Sequence, residues 1–226
     1  MAARQLSLSV ARKTRFATIK DRYSYRMGAA IPNPDLKAET ALHLEAAYAD
    51  QIKLGQKALK WQGSLFYSRL TDAIQQVNNV QPNVYQFQNT GRAEFYGGDA
   101  SVRVPIGAVW QTGAQYSYIH RRNLSNPDLK FIDVPDHKIL VFAQAQLLRR
   151  ATLVANVEYN SSRYSTSYGT QAGGFMVAYA KASVRVWRYV SLEGGVNNLF
   201  DRNYALAEGF PEPGRNYFVN LLITNL

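Results

Sequence analysis

The feature that most constrains this 226-residue chain is an alternation of apolar and polar residues that recurs ten times, with short and long connections taking strict turns between the repeats. A period of two sends successive side chains to opposite sides of an extended chain, so each repeat is read as a β-strand with one apolar and one polar face. The first runs from Gln5 to Ala11, with Leu6, Leu8 and Val10 facing away from Gln5, Ser7 and Ser9. The second, Thr40 to Ala49, sets Leu42, Leu44, Ala46 and Tyr48 against His43 and Glu45, and a turn at Lys53 to Lys57 leads into Leu59, Trp61, Gly63, Leu65 and Tyr67. Alternation returns from Phe95 to Val104, Trp110 to Tyr118, Ile139 to Ala145, Leu153 to Tyr159, Met176 to Val186, Val190 to Val196 and Tyr217 to Ile223. Tight reversals are expected at Pro105-Ile106-Gly107, Leu148-Arg149-Arg150 and Arg188. Long loops are expected over Arg12 to Glu39, His120 to Pro135, Ser161 to Gly174 and after Phe200. The Asn- and Gln-rich stretch from Arg69 to Arg92 is either another loop or a pair of strand extensions above the main sheet.

Strands of about 10 to 12 residues whose loops sort by end are foreign to soluble sandwiches, where strands of about 5 or 6 residues are usual. They match transmembrane barrels, with short turns at one rim and long loops at the other. The 15 Tyr, 10 Phe and 15 Gly suit pleated sheet with many turns. No apolar run approaches the roughly 20 residues of a membrane helix. The absence of Cys removes disulfides, thiol catalysis and Cys-ligated zinc. The opening MAARQLSLSVARK lacks the apolar stretch of about 7 to 15 residues found in secretory signals.

One face of nearly every strand is Ala, Val, Leu, Ile, Tyr or Gly, with almost no charge, and the other carries Lys60, Asp99, Arg103, Lys138, Glu158, Lys181, Arg185 and Glu193. In a soluble sheet the apolar face is the core, whereas in a membrane barrel it meets lipid and the charged face lines the interior. Abundant Ala and Gly would pack a soluble core thinly. Tyr67, Tyr118 and Tyr159 near the long loops, with Trp61 and Trp110 just after short turns, fit aromatic girdles at two membrane interfaces. The fold class expected is therefore all-β, an antiparallel up-and-down transmembrane β-barrel of about ten strands.

Three stretches then resemble a known family. The ending NNLFDRNYALAEGFPEPGRNYFVNL is similar to the last hairpin of TonB-dependent outer-membrane receptors, through Asn198, Leu199, Phe200, Asp201, Tyr204, Pro213, Gly214 and Arg215. SVARKTRFATIKDRYSYRMGAAIPNPDLKAET resembles their strand, external loop and following Asn-Pro-x-Leu-Lys-x-Glu strand entry, and NTGRAEFYGGDASV resembles a third element. The resemblance implies a 22-stranded barrel with an N-terminal plug that contacts TonB. It makes residues 1–226 the C-terminal part of such a receptor without the plug, with TonB reached only through the missing N-terminal barrel and plug segment. Leu226 departs from the aromatic that usually ends such barrels. Outer-membrane lipid and lipopolysaccharide are the expected surroundings, the small-molecule ligand is unknown, and no cofactor is expected. The implied parent activity is import of a siderophore-bound metal, cobalamin or similar nutrient.

Candidate ligand contacts in the external loops are Arg15, Lys20, Arg22, Tyr23, Tyr25, Arg121, Arg122, Tyr164 and Tyr168. The lumen-facing charges Asp99, Arg103, Glu158, Lys181, Arg185 and Glu193 are expected to pair with one another or with the plug. His43, His120 and His137 have no metal-ligand spacing, and Asp136-His137 lacks a nucleophile motif, so no catalytic or metal role is assigned. Two other functions compete: an autonomous small barrel acting as a pore or adhesin, and a soluble protein whose net charge of +10 binds nucleic acid.

Overall fold

The structure is a computed structural model that describes residues 4–147 and 150–223. From the N-terminus it contains β1 (Gln5–Arg15), helix α1 (Ile19–Tyr23), β2 (Ala30–Ile31), β3 (Glu39–Leu54), β4 (Lys57–Thr71), β5 (Ile74–Gln81) and β6 (Val84–Asn89). There follow β7 (Ala93–Ile106), β8 (Trp110–Asn123), β9 (His137–Leu147), β10 (Ala151–Asn160), β11 (Arg163–Tyr164) and β12 (Gln171–Ala172). The chain finishes with β13 (Phe175–Trp187), β14 (Val190–Asn197), β15 (Ala205–Ala207), β16 (Phe210–Pro211) and β17 (Asn216–Ile223).

Ten strands form one sheet in the order β1-β3-β4-β7-β8-β9-β10-β13-β14-β17, and every described pairing between neighbours in it is antiparallel. Among the described residues β1 and β17 are the two edges and do not pair with each other. The strands reach past the alternating cores, because cross-strand ladders continue wherever a neighbour offers backbone partners. Arg12, Lys13 and Arg15 thus belong to β1, and His120, Arg121 and Arg122 to β8, instead of to the expected loops. Pro105 and Ile106 lie inside β7, so that turn begins at Gly107. The Asn/Gln-rich stretch takes the second form expected of it: β5 and β6 make a hairpin that joins β2 in a separate three-stranded sheet. The turn at Leu148-Arg149 and the terminal Leu226 lie outside the described residues.

Register shows how the wall stands. Tyr67 is level with Tyr96 and His120, and Tyr217 is level with Val196, Ala180, Ala155, Ala143 and Thr112. The outward tyrosines nearest the long loops therefore descend eight residues, measured on β8, across seven strand spacings. With about 3.4 Å per residue and about 4.8 Å per strand, that line departs by about 40° from the perpendicular to the strands. Strands of a transmembrane barrel tilt by about 35–45°, so the line runs parallel to a membrane plane. Tyr67, Tyr118, Tyr159 and Tyr217 lie along it, and the Tyr118 and His137 rings are 4.9 Å apart.

The apolar face has no protein cover. Leu6 is 68% exposed, Leu65 72% and Leu221 64%. That opposes the soluble nucleic-acid reading, since a soluble sheet must bury such a face. On the opposite face, glycines make room for rings to lie along the wall. A Cβ at Gly113 would come 2.6 Å from the Phe142 ring, and one at Gly195 would come 2.5 Å from Phe218. The protein's own core sits elsewhere, at the long-loop rim. Of the buried apolar residues there, Leu70, Ala73 and Ala93 form a cluster against Phe95 and Phe131.

Candidate functional site

The five long connections interlock into one layer at the rim of the polar face. In the first, Thr18 caps α1 by accepting from the Asp21 amide at 3.1 Å, while the Asp21 carboxylate accepts from the Thr18 amide at 3.0 Å and from Arg15 at 2.9 Å. Arg22 donates to the Leu36 carbonyl at 2.8 Å. The connection is fastened to the second through β2 on β6 and through Asn33, which donates to the Phe87 carbonyl at 2.9 Å.

The second connection meets the fourth at Ser167, whose hydroxyl accepts from the Asn78 amide at 2.9 Å and whose amide donates to the Asn78 side chain at 3.2 Å. It meets the third where Asn123 donates to Gln75 at 2.7 Å. The third and fourth are joined by Lys130 N–H to the Ser167 carbonyl at 2.8 Å and Asp133 N–H to the Tyr164 carbonyl at 2.9 Å. The fourth and fifth are joined by Arg163, only 4% exposed, which donates to the carbonyls of Leu206 and Ala205 and lies 5.3 Å from the Phe175 ring centroid. Burial pulls the Arg163 guanidinium below its ordinary value, and nearby Asp133 opposes that. Crowding by the packed loops pushes the Asp133 carboxyl up, against the pull of Arg163 and Arg121.

The final connection ties the residues from Asn198 to Arg215 to one another. Asn198 is 2% exposed and holds a positive φ of 50°. Its side chain accepts from the Arg202 amide at 2.7 Å and donates to the carbonyls of Arg202 at 2.8 Å and Pro213 at 3.3 Å. Asp201 accepts from the Arg215 amide at 2.7 Å, and a Cβ at Gly214 would sit 2.7 Å from that same carboxylate oxygen. Asn198 and Asp201 thus pinch the base of the loop shut, Gly214 leaves space for the pinch, and Tyr204 packs on Phe175 at 4.4 Å. Phe200 is exposed and Leu199 partly so.

On the polar face Lys181 contacts Glu193 at 2.8 Å and Lys138 contacts Glu158 at 3.1 Å. Asp99 accepts from Ser117 at 2.5 Å, and Arg103 stands 5.7 Å from the Phe142 ring centroid. A concavity of about 470 Å³ on this face is lined by Glu45, Gln62, Asp99, Ser101, Gln115 and Ser117 among others. Arg185 lies on the same face, nearer the short turns.

The loop candidates divide into two groups. Arg15, Arg22, Arg121 and Arg122 are engaged within the chain: Arg121 donates to the Val134 carbonyl at 3.0 Å, and Arg122 contacts Glu94 at 2.5 Å. Lys20, Tyr23, Tyr25 and Tyr168 are exposed, while Tyr164 is half-buried in β11. Gln75, Asn78, Asn123, Arg163 and Ser167 had not been singled out in the sequence, although they fasten the layer. The Asn and Gln content of Arg69 to Arg92 signals Gln75 and Asn78, whereas Asn123, Arg163 and Ser167 carry no such local mark. No group of three or more His, Asp or Glu placed to hold a metal occurs among the described residues.

Residues 3–199 match the family model described as TonB dependent receptor-like, beta-barrel. The iron-regulated outer membrane virulence protein of Vibrio cholerae serotype O1 is 25% identical over 213 residues, covering 84% of this chain and 31% of that protein. Among solved structures, the copper transporter OprC superposes with a TM-score of 0.79 at 21% identity, over 97% of this chain and 37% of that one. The ferric enterobactin receptor PfeA of Pseudomonas aeruginosa, a mutant in complex with enterobactin, gives 0.75 at 18% identity, over 97% and 38%. The chain spans about a third of the length of these relatives.

Proposed function

The chain belongs to the TonB dependent receptor-like β-barrel family, and from that we propose that it builds the wall and external loops of a receptor importing a siderophore-bound metal, cobalamin or a similar scarce nutrient. Its place is the bacterial outer membrane, and its family is one of transport receptors, not enzymes. Residues 1–226 are the C-terminal portion of that receptor in this reading, with the plug and the TonB contact supplied by another segment. One observation carries it: five long connections lock into a single layer over the rim of a polar, concave wall whose other face is bare and apolar. Such a layer holds a ligand-contacting surface in place, while the lumen charges offer the wall of a passage. Lys20, Tyr23, Tyr25 and Tyr168 are the ligand contacts in this reading, being exposed cationic and phenolic groups on the fastened loops.

The test is uptake by cells producing the receptor that contains this chain, given labelled ferric catecholate, ferric hydroxamate, copper or cobalamin, with and without TonB. Uptake of one of these should depend on TonB and fall when Lys20, Tyr23 and Tyr25 are replaced by Ala. TonB-independent uptake of all four, or a stable uniform conductance from this chain alone in planar bilayers, would overturn the reading.

A further inference from the structure

The inward cations of the wall fall into two sets. Nearer the long loops each has an acid, Lys138 with Glu158 at 3.1 Å and Lys181 with Glu193 at 2.8 Å. Nearer the short turns, Lys53, Lys60, Arg103 and Arg185 are exposed and have no ion pair among the described residues. Two of these are neighbours. The register sets Gln51, Lys60, Arg103, Gly113 and Phe142 side by side across β3, β4, β7, β8 and β9, so Lys60 and Arg103 stand directly opposite each other. Their Cα atoms are then about 5 Å apart, and like charges placed in this way repel.

Lys60 precedes Trp61, and Gly113 lies three residues from Trp110, which puts the pair inside the wall at the level of the aromatics near the short turns. No acid there answers it. Asp99 stands four residues from Arg103 toward the long loops, about 13 Å along the strand, and accepts from Ser117. Asp50 is held on the outward face by Arg4 at 3.2 Å and the Tyr48 hydroxyl at 3.1 Å. The pair opens instead onto a hollow of about 380 Å³ lined by Gln51, Gln62, Gln115 and Phe142 among others. Neutral amides can donate to an anion without cancelling the cations. Because Gly113 has no side chain, the Phe142 ring lies along the wall, with the Arg103 guanidinium 5.7 Å from its centroid.

We propose that Lys60 and Arg103 form an anion site at the short-turn mouth of the lumen, where the cargo leaves, and that the cargo is a negatively charged metal chelate whose edge carries carboxylate or phenolate oxygens. The guanidinium offers paired donors to such oxygens and the ammonium a mobile one. Both cations are exposed, so water screens them and the hold stays weak enough for release, as a passage requires. This inference rests on the import reading and narrows its cargo, since an uncharged hydroxamate chelate or cobalamin gives the pair no anionic oxygens to bind.

The experiment gives cells producing the receptor that contains this chain labelled ferric catecholate, which is anionic, or ferric hydroxamate or cobalamin as uncharged probes. Catecholate uptake should exceed the others, and K60Q/R103Q should lower its maximal rate by about fivefold or more. Its binding to energy-depleted cells should stay unchanged, because capture at the long loops does not use the pair, and K60R/R103K, which keeps both charges, should preserve the rate. TonB-dependent uptake of an uncharged probe alone would overturn the anion site and leave the import reading standing, whereas uptake that ignores TonB would overturn both. An unchanged catecholate rate in K60Q/R103Q would overturn the site. Carbodiimide coupling of the unmodified receptor, read by peptide mass spectrometry, tests the rival occupant. Lys60 should be recovered uncoupled, and an amide between Lys60 and a carboxylate of the plug would make the pair a plug contact and remove the site. Should the double variant fail to assemble, that coupling decides alone.

Discussion

The wall and the loop layer of this molecule are held by different physics. In the wall, the outward row of β13 from Met176 to Val186 carries no charge, and large apolar side chains stay exposed, as with Met176 at 61% and Val186 at 59%. Its internal cohesion is the backbone ladder, with every strand between the two edges paired on both sides and lipid completing the apolar burial. In the layer, burial is internal: Ser167, Asn123 and Asn198 are almost wholly enclosed, the first two with side-chain hydrogen bonds to another connection and Asn198 with bonds across the base of its own. A polar group enclosed without a partner costs about 1–3 kcal/mol, so these contacts fix the loop arrangement more sharply than apolar packing would. Lipid can dissolve a wall with exposed leucines, but nothing outside the chain can satisfy Arg163.

The comparison is broken most strongly at the middle of the wall. Val141 lies outward, level with Ala114 between Trp110 and Tyr118 on the neighbouring strand. Val141→Arg should cost about 2–4 kcal/mol in denaturant titrations of protein folded into liposomes, as for a charge at the bilayer midplane. Gln144→Arg, on the opposite face, should stay within about 0.5 kcal/mol. Equal costs would mean that the two faces meet the same medium.

In the layer, Arg163→Ala should cost about 2 kcal/mol through the two carbonyls it leaves unpaired. The loss should be local: proteolytic nicking would rise in residues 161–174 and 198–215, while the heat-modifiable mobility that marks an intact barrel would stay. Arg163→Lys should not restore protection, because one ammonium cannot reproduce the planar fork and the contact with Phe175. Global unfolding of Arg163→Ala would show that wall and layer are one cooperative unit.

A smaller effect is expected at the hairpin base. Gly214→Ala would press a methyl against the Asp201 carboxylate and loosen its bond to the Arg215 amide, at a cost of about 1 kcal/mol. Faster hydrogen exchange at the Arg215 amide, with the Asn197 and Asn216 pairing kept, is the expected signature. Unchanged exchange would remove Asp201 from the pinch.

What could be read from the chain follows the same division. Wall strands announced themselves because alternation is local: Leu6, Leu8 and Val10 declare a face without reference to any partner. Their ends did not, since Arg12 to Arg15 and His120 to Asn123 are held in strand by neighbours, with no local periodicity to mark them. The ten-strand order was legible from loop lengths, while the three-stranded sheet was not, because β2 joins β6 across some fifty residues through only two paired positions. The motif at Asn198 to Arg215 was visible as a resemblance, but its mechanism needed the distances between Asn198, Asp201 and the far side of the loop. Of the loop candidates, residue type alone could not separate the arginines engaged within the chain from the exposed Lys20, Tyr23 and Tyr25. That depended on which carbonyls and carboxylates the fold brought within reach.

The smallest effect expected lies in the layer's charge. Crowding holds the Asp133 carboxyl above its ordinary value of 3.8, with Arg163 and Arg121 opposing. A group raised in this way binds its proton more tightly in the folded loops than in an opened loop. Its contribution is therefore full at pH below 3.8 and is lost as pH rises through the raised value, after which it stays flat. Because the side chain is solvent-exposed, water screens much of the effect. The measurement is the exchange protection of the Asp133 amide, which donates to the Tyr164 carbonyl at 2.9 Å, corrected for the intrinsic rate at each pH. Protection should decline slightly as pH rises through the carboxylate range, and Asp133→Asn should abolish that dependence. Protection that instead rises with pH would mean that Arg163 and Arg121 outweigh the crowding, making Asp133 a third charged fastener between the loops.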